Sequence, residues 1–382
     1  MFMWTVSVLA SLVLIVLVLV DGFEAMVLPR RVTRLYRPTR LYYRTIWTLW
    51  RLVAHRIRPG KRREAFLSVF GPLSMFGLFA TWVSGLIIGF GWLHWSLGTV
   101  LRSPEPEPGL ATYLYLSGTT FFTLGYGDVT AANSLGRFLT VLESGMGFGF
   151  LAVIIGYLPV LYQAFSRREV AISLLDARAG SPPTAGQVLI RLAQSRHVTS
   201  VHSFLAEWEH WGAEVLESHL SFPVLSFYRS QHDNQSWLAA LTTILDTCSL
   251  LIVATEGVDP YQAQLTFAMA RHAVVDIALV FKTPPVAPEP DRLPHDRLHL
   301  LREAATQAGL EMRDDPAVES KLAELRRMYE PFVNALAGYF LFALPPYLSQ
   351  RPTADNWQTS AWTRRTAGIG GLAGERGDEH FK

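Results

Sequence analysis

A single cysteine, Cys248, leaves no partner for an intrachain disulfide and no cysteine set for a zinc cluster. Lying in an apolar run, it reads as a small core residue. Net charge is scarce too: 34 basic against 32 acidic side chains give +2, so the overall balance names no partner. Acidic residues are absent between Pro29 and Arg63, and ionised ones are absent between Phe66 and Leu97. No Gly-x-Gly-x-x-Gly follows a strand pattern, so that nucleotide-binding signature is missing. There is no convincing alternating strand pattern and no internal repeat. His197, His202, His210 and His219 have neither cysteine partners nor the tight spacing of a metal site, and read as surface or core histidines.

What the chain does hold is apolar side chains, 50% of its 382 residues, with a mean hydropathy of +0.21. They crowd before Phe165, which predicts a membrane part followed by a soluble part. Phe2 to Val20 is almost unbroken apolar and runs on through Asp21 and Glu24 to Leu28. It has no positive leading region and no small-residue cleavage site, so it is expected to be a retained transmembrane helix. Pro29 to Arg63 then carries Arg30, Arg31, Arg34, Arg37, Arg40, Arg44, Arg51, Arg56, Arg58, Lys61, Arg62 and Arg63. The positive-inside rule makes this segment cytoplasmic and puts the amino terminus outside. Arg40, Arg44, Arg51 and Arg58 fall near one helical face, among Tyr36, Tyr42, Tyr43, Trp47 and Trp50. That pattern fits an interfacial helix on anionic lipids better than a nucleic-acid surface.

Phe66 to Leu97 is a second predicted span, with Pro72 in its first turns and His94 near its outer end as an interfacial histidine. Pro104-Glu105-Pro106-Glu107-Pro108 must be extended; it reads either as a stiff exposed outer turret with no electrostatic role or as one whose Glu105 and Glu107 concentrate cations. Ala111 to Phe122 is too short to cross a bilayer and reads as a re-entrant helix, with Tyr113 and Tyr115 as aromatic packing. Leu135 to Phe165 is the third span, closed by Arg167 and Arg168. It encloses Glu143, either a functional carboxylate or a hydrogen-bonded brace. It also holds alternating Gly145, Gly147 and Gly149, which suit either a bend or close helix packing.

Between the short helix and the third span lies Thr123-Leu124-Gly125-Tyr126-Gly127-Asp128. Its two glycines permit left-handed backbone angles, which turn successive carbonyls to one side. This run, with its flanks from about Ala111 to Phe165, closely resembles the signature of pore-loop potassium channels. The resemblance implies oxygen cages for potassium from the carbonyls of Thr123, Leu124, Gly125 and Tyr126 and the Thr123 hydroxyl. Gly127 and Asp128 would then finish the outer mouth. It implies a gating hinge at Gly147, with Phe148, Leu151, Ile155 and Pro159 facing a cavity, and Glu143 and Phe122 behind the filter. Leu124 departs mildly from the commoner valine. Phe122 replaces a threonine usual there, which bears on gating stability. One such loop per chain implies a homotetramer, and no cofactor beyond the permeant potassium ion.

The expected fold class is an all-α membrane protein: three transmembrane helices, a re-entrant pore helix with its filter, and a helical cytosolic carboxyl-terminal domain. The boundaries read as 1–28 for the first span, 29–63 for the basic segment, 64–168 for the pore domain, 169–350 for the cytosolic domain and 351–382 for a disordered tail. Within 169–350, helices are expected near Gln187 to Gln194, Val198 to Leu220, Trp237 to Thr255, Tyr261 to Phe281, Arg297 to Gly309 and Glu319 to Leu344. Asp246, and Arg271, His272 and Asp276, argue that the second and third of these longer runs are buried helices and not spans. The expected location is a bacterial-type plasma membrane. Competing readings are a weakly selective cation channel and a non-conducting membrane receptor or scaffold; no motif supports an enzyme.

Overall fold

The computed structural model describes residues 2–28, 37–180, 182–194, 198–231, 235–257 and 259–349. The expectations for Arg30, Arg31, Arg34, Tyr36, His197 and the tail 351–382 lie outside the described residues. The chain divides into two compact units, Met1–Gln163 and Ala164–Lys382.

The first unit is built from apolar helices. α1 (Phe2–Met26) is followed by α2 (Pro38–Arg56), α3 (Lys61–Ser68) and α4 (Phe70–Ser96). The short α5 (Leu110–Phe121) comes next, and then α6 (Ser134–Ala179), whose last residues belong to the second unit. Two-residue strands β1 (Leu101–Arg102) and β2 (Thr130–Ala131) pair antiparallel across the segment that contains α5. Pro72 falls in the first turn of α4, where its missing N–H has no intrahelical role. Pro159 lies inside α6 and leaves the Ile155 carbonyl without its usual donor. Among the described residues, four stretches are long and apolar enough to cross a membrane: Met3–Met26, Lys61–Ser96, Ser134–Asp176 and Tyr261–Phe281.

Asp21 explains how an acidic residue sits in an apolar helix. Its buried carboxylate accepts from Thr39 N (3.1 Å), Thr39 Oγ1 (2.5 Å) and Trp82 Nε1 (2.9 Å). It thereby caps the amino end of α2 from a different helix and ties α1, α2 and α4 together. Asp21→Ala is expected to cost about 2–3 kcal/mol, visible as earlier thermal loss of helical signal in detergent; an unchanged melt would show that the cap adds nothing.

In the second unit α7 (Ala185–Gln194), α8 (Val198–Ser221), α9 (Trp237–Val253), α10 (Tyr261–Phe281), α11 (His295–Gln307), α12 (Pro316–Arg327) and α13 (Glu330–Phe340) pack together, with a 3₁₀ turn at Pro223–Phe227. α9 is the centre: it touches α7, α10, α12 and α13, and nearly every one of its side chains is buried, Cys248 included. α10 packs along α8 as well as α9. The run expected as one helix from Glu319 to Leu344 is two, α12 and α13, because Pro331 cannot continue a helix that arrives from Arg327.

Candidate functional site

α5 is only 12 residues long, about 18 Å. Its carboxyl end leads straight into the Thr123–Asp128 run, and the join has a defined geometry. Thr123 N donates to Thr120 O (3.0 Å) and Leu124 N to Thr119 O (2.8 Å). With Phe122 as the cap residue, this is the paired-bond helix ending in which the next residue takes a left-handed conformation. Glycine usually fills that position; here it is Thr123, at φ +57°. A β-branched residue there is a strained outlier.

The left-handed angle then recurs at every second residue. Gly125 lies at φ +56° and Gly127 at φ +81°, while Leu124 and Tyr126 between them keep negative φ. In an ordinary extended strand successive carbonyls point to opposite sides. Inserting a left-handed residue at alternate positions turns them toward one side. Thr123 starts that left-handed alternation at the first residue of the run. Leu124 and Tyr126 are exposed in the single chain, and a Cβ built on Gly125 or Gly127 meets no neighbour. Asp128, the last residue of the run, accepts a hydrogen bond from Tyr115 OH of α5 (2.8 Å). Tyr113 OH donates instead to Thr99 O (2.9 Å), beside the β1–β2 pair. The two tyrosines expected as packing are thus hydrogen-bonded ties at opposite sides of α5.

Phe122, at the cap, is exposed and packs edge-on to the buried Phe121 ring (5.4 Å). Phe148 and Ile155 are each 70% exposed, Pro159 is exposed and Leu151 half-buried, so these four lie along a face of α6 that its own chain leaves uncovered. Gly147 is different. A Cβ there would fall on the Phe121 carbonyl oxygen and within 3.1 Å of the Phe121 Cα and carbonyl carbon. Gly145 and Gly149 have nothing within 4 Å. Gly147 is therefore where α6 meets the end of α5 at backbone contact. Two turns nearer the amino end of α5, a Cβ at Gly91 of α4 would come 3.0 Å from Leu114 Cα. α5 thus meets α4 and α6 closely, each at a glycine.

Glu143 is fully buried and is held by Ser117 Oγ of α5. His94 of α4, also fully buried, places Nε2 3.7 Å from the other Glu143 oxygen. Sequence reasoning named both residues but did not join them. The signal was there: two lone ionisable side chains in separate apolar runs need partners, and each is the other's.

The second unit offers buried ionic chemistry of a structural kind. Arg168 donates to Leu225 O (2.9 Å) and Tyr228 O (3.0 Å) and pairs with Glu169 (2.9 Å). His219 beside it is held well below its ordinary range by burial and then by the Arg168 charge, so it is neutral. His210 and His202 are exposed. Among the described residues no group of three or more His, Cys, Asp or Glu side chains is arranged to hold a metal.

Residues 76–163 match the family described as "Ion channel". Over 244 residues the chain is 25% identical to an uncharacterized membrane protein, YdjJ, of Bacillus subtilis, covering 59% of this chain and 67% of that one. Over 109 residues it is 29% identical to potassium channel subfamily U member 1 of Mus musculus, 28% of this chain but only 9% of that protein. Over 84 residues it is 32% identical to protein LctB of Geobacillus stearothermophilus, covering 19% of this chain and 62% of that protein. No solved structure matches the chain.

Proposed function

Since the chain belongs to the pore-loop potassium channel family through residues 76–163, we propose that it assembles as a homotetramer conducting potassium selectively and passively. In this reading α1, α4 and α6 cross the membrane and α5 re-enters it. Four copies of Thr123–Gly127 surround the ion path. The carbonyls of Thr123, Leu124, Gly125 and Tyr126 take the place of lost hydration water, with Asp128 at the outer mouth. The observation that carries this is the left-handed backbone at Thr123, Gly125 and Gly127, starting at the carboxyl end of α5. That end also directs its partial negative charge at the path.

The basic segment 29–63 then lies on the cytoplasmic leaflet of a bacterial-type plasma membrane, with the amino terminus outside and residues 169–350 inside. α2 supports this placement. It turns Trp47 and Ala54 inward and leaves Leu41, Leu49, Leu52 and Val53 exposed. Arg40 and Arg44 are exposed beside that stripe, with no ion pair among the described residues. An apolar stripe edged with free guanidiniums suits anionic lipid headgroups. Gating by bending of α6 near Gly147, under the hold of the cytosolic helices, completes the reading.

Purified protein in liposomes is expected to show barium-blocked potassium flux, and reversal potentials under opposed potassium and sodium gradients near the potassium limit. A bulky residue at Gly125 should abolish the flux. Reversal near the midpoint of the two ions would instead favour a weakly selective cation pore, the reading that Phe122 in the filter's support encourages. Function unchanged by a bulky residue at Gly125 would favour a non-conducting receptor.

A further inference from the structure

Three helices of the first unit converge behind Thr123 on polar side chains that conduction itself leaves unused. Glu143 Oε2 (α6) and His94 Nε2 (α4) face each other at 3.7 Å, outside hydrogen-bond reach. Both are fully buried, and among the described residues neither atom has a hydrogen-bond partner. The second Glu143 oxygen meets Ser117 Oγ of α5, and the same hydroxyl lies 2.8 Å from the Ile87 carbonyl. Ser117 has one proton to give. A carbonyl only accepts, and so does an ionised carboxylate. One proton cannot serve both oxygens. If the carboxyl of Glu143 carries a proton, it donates to Ser117 Oγ, Ser117 donates to Ile87 O, and α4, α5 and α6 are joined by a complete chain of bonds.

Among the described residues no other ionisable group bonds to this pair. α4 presents His94, whose Nδ1 lies 3.1 Å from Thr99 Oγ1. α5 presents Ser117, and Tyr113, whose hydroxyl is engaged by Thr99 O. α6 presents Glu143; Arg137 on the same helix is bonded to Ala131 O (3.3 Å). α1 reaches the outer end of α4 through Ser7, which meets Ser96 (2.6 Å) and Trp92 (2.8 Å).

We propose that Glu143 and His94 form a proton-binding site behind the conduction run, that it holds one exchangeable proton on Glu143, and that this proton braces α5. With that proton in place the site is neutral. A second proton leaves an imidazolium beside a neutral acid; loss of the first leaves a carboxylate beside a neutral imidazole. Either state puts an uncompensated charge in a dry site and disturbs the Ser117 link.

The effect on flux rests on the channel reading. Full-length protein in liposomes, assayed for potassium flux between about pH 4 and pH 10, is expected to give a bell-shaped profile, falling about tenfold on each side. His94→Gln should remove the acid limb and keep the alkaline one; Glu143→Gln should do the reverse. Infrared difference spectra of the same membranes should show, at neutral pH, a protonated-carboxyl band that is missing in Glu143→Gln. A flat wild-type profile, or one that neither substitution alters, overturns the control of flux. Absence of the band overturns the proton site whether or not the protein conducts. The band without any flux would sink the channel reading alone.

Discussion

Gly147→Ala is expected to reduce potassium flux by at least about tenfold and to lower thermal stability, because the new methyl group has nowhere to go. It would fall on the Phe121 carbonyl oxygen, and backbone does not swing aside as the tip of a side chain does. Overpacking of this kind costs about 1–3 kcal/mol when the surroundings can shift. Here α5 is also packed closely against α4, where Gly91 meets Leu114. A displaced α5 carries Phe122 and the whole Thr123–Asp128 run with it, since Leu124 N is bonded back to Thr119 O. Gly145→Ala and Gly149→Ala are the controls. Neither methyl meets a neighbour within 4 Å, so neither should destabilise the protein, and the helix preference of alanine should add up to about 1 kcal/mol. Flux and detergent melting measured together separate the two uses of Gly147. A pure hinge predicts altered open probability with an unchanged melt; close packing predicts that both fall. Parent-like flux and melting would show that α5 and α6 stand farther apart than described.

The helices were legible because apolar runs and their charged ends are local signals. α1, α4 and α5 begin and end within four residues of the runs that announced them, and Tyr261–Phe281 coincides with its expectation. Thr184 Oγ1 accepts from Gln187 N (3.3 Å) at the amino end of α7. The misses have physical causes. Arg167 and Arg168 marked the end of an apolar run, but charge stops a membrane span and not a helix, so α6 continues to Ala179. Pro331 was passed over although it breaks the last long pattern. At the candidate site, the glycines announced left-handed angles at positions 125 and 127. Nothing announced one at Thr123, because that angle belongs to the helix ending and not to the residue. Partners far apart in sequence were invisible. Ser117 to Glu143, His94 to Glu143 and Tyr115 to Asp128 are facts of packing, and no periodicity carries them.

Arg292→Ala is expected to destabilise the second unit by about 3–5 kcal/mol, the usual cost of stripping one partner from a buried ion pair. Arg292 grips the fully buried Asp246 of α9 with two bonds, 3.2 and 2.6 Å, and also donates to Glu330 (3.1 Å) and to Pro345 O (2.9 Å). Tyr329 OH adds a third bond to Asp246 (2.6 Å) and meets Tyr347 OH (2.9 Å). Arg326 joins Glu330 to Asp291. Burial, with Asp246 next in weight, pushes the Glu330 carboxyl above its usual range against the pull of the two arginines. Without Arg292, two acids close to one another lose their shared cation. The expected readout is a lower denaturation midpoint in the full chain, with Arg292→Ala/Asp246→Leu recovering part of the loss because it removes the stranded charge as well. A single variant as stable as the parent would show that the pair contributes nothing net. The same bonds bear on how α9 is read. An acid at the centre of an apolar helix invites the idea of an ion pathway, but here its carboxylate is fully engaged by Arg292 and Tyr329 from within its own unit, which is what a packed structural core requires of it.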